Sequence, residues 1–167
     1  MRHLEPMVSS APRNKQAAIK GTLGQAYFCA EDCEKATPLL EEYIKSLRNP
    51  EYALYYQVGY CSYKSGQYEK AISYLKELTS ANSDSMRQHA MYLIANSYLD
   101  MDNKEDAKAY FQNAAGTGPD ERLKELSTVQ YIRLSDDLGD HSQSIALIEA
   151  FLELYPTSAY KLSLIHI

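Results

Sequence analysis

An all-α fold built from repeated helical hairpins is predicted by three features of the 167-residue sequence. The first is an amphipathic stripe. Tyr68, Ala71, Ile72, Leu75 and Leu78 recur at helical spacing, with Glu69, Lys70, Ser73, Lys76 and Glu77 on the opposite face. The second is repetition. Ala36, Ala71, Ala107 and Ser144 follow one another at spacings of 35, 36 and 37 residues, and four residues beyond each stands Leu40, Leu75, Phe111 or Ile148. On the preceding helix Leu23-Gly24, Val58-Gly59, Ile94-Ala95 and Tyr131-Ile132 keep the same intervals, and Glu31, Gly66, Asp102 or Gly139 falls between the two helices. The third is the absence of any run with strand alternation. Two helices of about a dozen residues cannot bury both stripes alone, so each pair needs neighbours of its own kind.

Four hairpins follow in order, at residues 17–50, 51–84, 85–120 and 121–156. Residues 1–16 form a lead-in or the remnant of a preceding repeat; Arg2, His3, Glu5 and Pro6 interrupt any apolar core of a secretory signal. The first hairpin carries Pro38 inside its second helix, so that helix is expected to start late, near Lys35, or to bend, with Ala36, Leu40, Tyr43 and Ile44 as its buried face. The second joins Tyr55, Val58, Gly59 and Ser62 to the Tyr68–Leu78 stripe across Gly66. Asn49-Pro50, Gly116 to Pro119 and Tyr155-Pro156 punctuate helix ends. Residues 157–161 read as the start of a further, truncated helix. Leu162 to Ile167 look like the translation of a sequencing adapter, a non-native scar at the edge of a longer reading frame, so His166 is expected to carry no role.

The run Tyr55-x-x-Val58-Gly59, then Gly66-x-Tyr68-x-x-Ala71-Ile72-x-x-Leu75, resembles the tetratricopeptide repeat, a helix-turn-helix unit of about 34 residues. The resemblance covers about five-sixths of the chain, and Leu152 to Pro156 is similar to the family's repeat ending. It departs from the pattern in having no Trp and in placing Ile132 and Ser144 where smaller residues or Ala are usual. The resemblance implies an α-solenoid, a right-handed superhelix whose concave groove is lined by the first helix of each pair. Residues of those helices turned away from the packing stripe are then candidates for partner contact: Gln25 and Phe28; Tyr56, Tyr60, Tyr63 and Lys64; His89, Tyr92, Asn96 and Leu99; Val129, Arg133 and Asp136. Fifteen Tyr is a high count, and Tyr offers a large contact area with a polar tip, although it also serves as filler between helices.

Other chemistries are disfavoured. Net charge is −5 with pI near 5.4, and Lys and Arg are scattered, whereas nucleic-acid binding needs clustered cations. No segment has the twenty or so apolar residues that span a bilayer. No phosphate-binding glycine loop, zinc-protease helix or nucleophile elbow is present, so no cofactor is implied and no catalytic residue is assigned. His141 falls in the column of Cys33, Tyr68 and Lys104 at a helix start, where packing or helix-end polarity suffices. Glu41-Glu42 and Asp136-Asp137 diverge by about 100° around a helix and read as solvated faces. Cys29, Cys33 and Cys61 read as small hydrophobes in helix packing, the competing reading being a disulfide or metal pair of Cys29 and Cys33 across the turn near Glu31. The carboxylate clamp by which some members of the family hold chaperone tails is rejected, because its Lys and Asn positions are occupied by Gly21, Gln25, Gln57, His89 and Leu93.

The expected function is a non-catalytic scaffold for a peptide or protein partner. The alternative is a recruiting arm of a larger enzyme or signalling protein. The spelling Leu154 to Ser158 resembles repeat ends of bacterial envelope proteins, Bacteroidetes type included, which tilts the expected compartment towards the periplasm.

Overall fold

The computed structural model describes residues 12–165, so most of the lead-in and the last two residues, His166 and Ile167, lie outside the described residues. The described residues form helices and short connections, with no strand among them. They divide into two compact units, Met1–Leu78 and Thr79–Ile167.

The first unit contains α1 (Arg13–Cys29), α2 (Cys33–Ser46), α3 (Tyr52–Lys64) and α4 (Tyr68–Lys76), which runs on into a 3-10 turn over Glu77–Ser80. Each helix packs on the next, and α1 also touches α3. Leu23, Tyr27, Ala36, Leu40, Ile44, Leu54, Val58 and Cys61 make the core. Glycines let the paired helices close up: a Cβ on Gly24 would stand 2.9 Å from Leu40, and one on Gly59 2.6 Å from Leu75. The columns seen in the sequence are therefore contact columns, with Gly on the first helix receiving the large residue of the second.

The second unit contains α5 (Asp84–Asp100), α6 (Lys104–Gly116), α7 (Glu121–Asp137), α8 (His141–Leu154) and α9 (Lys161–Ile165). One core gathers Ala95, Ala107, Phe111, Tyr131 and Leu134, and another Val129, Ile132, Phe151 and Leu164. Gln88, fully buried, clamps the α6–α7 connection: its Nε2 donates to the Asp120 carbonyl at 2.9 Å and its Oε1 accepts from the Asp120 amide at 3.0 Å. Asp120 then caps α7 through the Leu123 amide.

All four within-hairpin turns close alike. Glu31, Gly66, Asp102 and Gly139 have φ of 59, 72, 59 and 85°. In each turn the following amide reaches back five residues: Asp32 to Tyr27, Gln67 to Ser62, Asn103 to Tyr98 and Asp140 to Ser135, at 2.9–3.0 Å. This satisfies carbonyls that a helix C-terminus would otherwise leave open. The small column is buried throughout, with Ala36, Ala71 and Ala107 at 0% exposure and Ser144 at 1%.

Two expectations are corrected. Helix α2 begins at Cys33 and continues through Pro38, which occupies an exposed position while the Thr37 hydroxyl donates to the Cys33 carbonyl at 2.9 Å. In the fourth hairpin Phe151, not Ile148, is the fully buried large residue, Ile148 being half-buried. Leu164 is 1% exposed, in the core with Val129, Ile132 and Phe151, and Arg133 donates to the Ser163 hydroxyl at 3.1 Å.

Candidate functional site

Three of the sequence-predicted residues in the first unit form a continuous aromatic face. Phe28 near the end of α1 meets Tyr60 of α3 edge-on, ring centres 5.9 Å apart, and Tyr60 stacks on Tyr56 one turn earlier at 6.1 Å. All three rings are half-buried. Burial, then the neighbouring Tyr60, pushes the Tyr56 phenol above its usual pKa. Gln25 lies exposed one turn before Phe28. Tyr63 is not part of this face, because its ring pairs with Tyr68 across the turn at 6.0 Å.

Lys64, exposed at the end of α3, lines two adjoining clefts of about 560 and 350 Å³. They share Cys33, Glu34, Lys64 and Ser65; the larger runs towards Glu41 and Lys70, the smaller towards Glu31, Asp32 and Tyr60. In the larger, Lys70 pairs with Glu41 at 2.7 Å. Burial, with Glu41 as a charged neighbour and hydrogen-bond acceptor, pushes the Tyr74 phenol up to about 12. The shared wall holds the principal correction to the cysteine reading: Cys33 is bonded to Cys61, their Cα atoms 5.0 Å apart, and Cys29 is the free, exposed cysteine. In an up-and-down array the start of one helix lies beside the end of the following one, which brings together residues 28 apart in sequence. The four-residue spacing of Cys29 and Cys33 drew attention to the wrong pair.

The second unit disperses its predicted residues. The His89 ring nitrogen Nδ1 lies 2.9 Å from the Ser85 carbonyl, with Nε2 3.8 Å from the Asp120 carboxylate. Asn96 donates to the Tyr92 carbonyl at 2.8 Å, and the Tyr92 ring turns its edge to Phe111 at 5.8 Å. Leu99 packs against the same core. Arg133 is half-buried against Ser163. Val129 is a correction: at 2% exposure it belongs to a core and offers no surface.

Asp136, His141 and Ser144 are neighbours, a set that invites comparison with a hydrolytic triad. The His141 Nδ1 is 2.7 Å from Asp136, but the Ser144 hydroxyl points to Asp136 at 3.3 Å and to the His141 carbonyl at 2.9 Å. The base would have to face the nucleophile, and here both face the carboxylate. The arrangement closes a helix start. Among the described residues no group of three or more metal-binding side chains occurs, and no helix is long and apolar enough to cross a membrane.

Residues 32–114 match the family model for the anaphase-promoting complex, cyclosome, subunit 3. No curated protein matches. Among solved structures, the MamA protein superposes with a TM-score of 0.67 at 18% identity, covering 86% of this chain and 75% of that one. PilW, described as a widely conserved type IV pilus biogenesis factor, gives 0.67 at 18%, covering 92% and 69%. A putative kinesin light chain of Podosopora anserina with nearly identical TPR-like repeats gives 0.63 at 18%, covering 91% and 83%. At such identities the likeness is one of fold.

Proposed function

We propose that this chain, a tetratricopeptide-repeat protein by its fold and its internal repetition, is a non-catalytic scaffold that holds a peptide or protein partner on the first helices of its hairpins. The observation that carries this is the Phe28, Tyr60, Tyr56 face of the first unit. Its rings are packed well enough to be rigid and left open enough to touch a ligand. Rigid aromatic anchors lose little entropy on binding and supply most of the energy at protein interfaces. Gln25 and Lys64 flank the face as polar contacts, and Tyr63 reads as turn packing. His89, Tyr92, Asn96 and Arg133 are a further set of first-helix residues in the second unit. A family model named for a subunit of a multiprotein complex favours an assembly role, and the misdirected Ser144 hydroxyl favours a role without catalysis.

The test is selection of ligands from a random peptide library on the immobilised protein. Tyr60→Ala or Tyr56→Ala is expected to weaken the selected peptides at least about tenfold, some 1.4 kcal/mol, while the melting temperature moves by no more than about 4 °C. Peptides that bind both variants as tightly as the parent would remove the aromatic face from the proposal. Failure to enrich any peptide would count against peptide binding as a whole.

A further inference from the structure

We infer that Cys33 and Cys61 form a redox clasp between the first two hairpins, closed in an oxidising compartment and opened from the Cys33 side by an external dithiol. Cys33 is the first residue of α2 and Cys61 lies one turn from the end of α3, so the bond ties helices of different hairpins. It is a second covalent link beside the peptide connection over residues 47–51. The same relation recurs between the hairpins of the second unit, where Lys104, also at a helix start, pairs with Asp137 at the end of α7 at 2.8 Å, and Lys108 pairs with Asp140. One junction is ionic and the other covalent. Disulfides of this kind persist where the surroundings are oxidising, which assigns the protein to such a compartment.

The two sulfurs are not equivalent. Cys61 is 0% exposed inside the first core, whereas Cys33 is half-buried and lines both clefts. A thiolate can therefore approach the Cys33 sulfur and not its partner. One thiolate of the dithiol attacks Cys33 Sγ; the Cys33–Cys61 bond breaks, and its electron pair leaves on Cys61, which takes a proton from water. The second thiolate of the dithiol then attacks the dithiol's own sulfur in the mixed disulfide and expels Cys33 as a thiolate, which takes a second proton from water. The dithiol ends as a disulfide and the protein has gained two electrons and two protons. Glu31, Asp32 and Glu34 beside the clefts oppose a reductant of high negative charge, while Lys64, which lines both clefts, is a cation to meet the incoming thiolate; Lys70 in the larger cleft pairs with Glu41. Because Tyr60 precedes Cys61 and its ring rests on Phe28, opening the clasp also frees the two hairpins that the aromatic face spans. The bond does not depend on the scaffold reading.

Three measurements test it. Protein refolded in a glutathione redox buffer, denatured and alkylated, is expected to show Cys29 labelled and a linked Cys33–Cys61 peptide. Three labelled cysteines, or a linkage through Cys29, would overturn the clasp. In a Cys29→Ser background, the single thiol of Cys61→Ser is expected to react with an aromatic disulfide probe such as dithionitrobenzoate at least tenfold faster than that of Cys33→Ser; equal rates would overturn the one-sided approach. Dithiothreitol is expected to lower the melting temperature of the parent by about 5 °C or more and to leave Cys33→Ser/Cys61→Ser unchanged, and an unchanged parent melt would remove the clasp's hold on the junction.

Discussion

At the level of single residues, the chain places polar groups where a packed partner fixes their state. Tyr74 is the clearest case. Its phenol is pushed from the ordinary 10.0 up to about 12, through burial first and Glu41 second. A folded pKa above the unfolded one means that the folded state keeps a proton the unfolded chain has released. The stability so gained is whole below pH 10 and disappears as pH rises from 10 to 12. Tyr74→Phe is expected to flatten that loss, so alkaline melts of parent and variant should converge between those values; parallel curves would show that Tyr74 does not govern it. Leu164 makes a different point. Its burial beside Val129, Ile132 and Phe151 means that Leu164→Ala should cost about 2 kcal/mol or more, read as a lower melting temperature. Leu164 lies in a stretch that reads as foreign on spelling, yet its side chain is buried while Leu162 and Ile165 are exposed, because packing responds only to shape and polarity.

Elements are set by columns, and columns by closeness of approach. Ala71 has no exposure and faces the Gly59 side of α3, where the Leu75 side chain already sits at contact distance. Ala71→Phe is expected to cost roughly 1–3 kcal/mol by overpacking, measured by thermal denaturation followed at 222 nm; an unshifted melt would mean that the hairpin register is wrong. These columns were legible because periodic spacing and small residues are local signals that a chain shows wherever helices pair. The left-handed turns were legible as a position, since Gly66 and Gly139 stand at it. Glu31 and Asp102 hold the same conformation without glycine, against an intrinsic cost of about 1–2 kcal/mol, which shows how firmly the five-residue amide bridge fixes the turn. Less was legible where partners lie far apart in sequence. Gln88 finds Asp120 and Cys33 finds Cys61 only once helices are stacked. The aromatic face was half-legible for the same reason: Tyr56 and Tyr60 lie one turn apart on a single helix, but that Phe28 joins them and Tyr63 turns away depends on the neighbouring helix and on Tyr68.

For the whole molecule, stability is distributed over hairpins, each adding a few fully buried large side chains at about 1.5–3 kcal/mol apiece, so the chain has no single centre whose loss unfolds everything. The cross-link changes this locally. Closing a loop of 28 residues restricts the unfolded chain by about 3.5 kcal/mol in the chain-entropy account. It also sets a mechanical limit. Drawn out by its two ends, the oxidised chain cannot release the stretch between Cys33 and Cys61, which at roughly 3.4 Å per residue withholds about 95 Å of contour length. An optical trap should therefore register oxidised molecules as shorter at full extension by that amount, with the missing length returned in one step on adding dithiothreitol. Where load is transmitted along such an array, the junction of its first two hairpins acts as a stop, and the helices beyond it yield first.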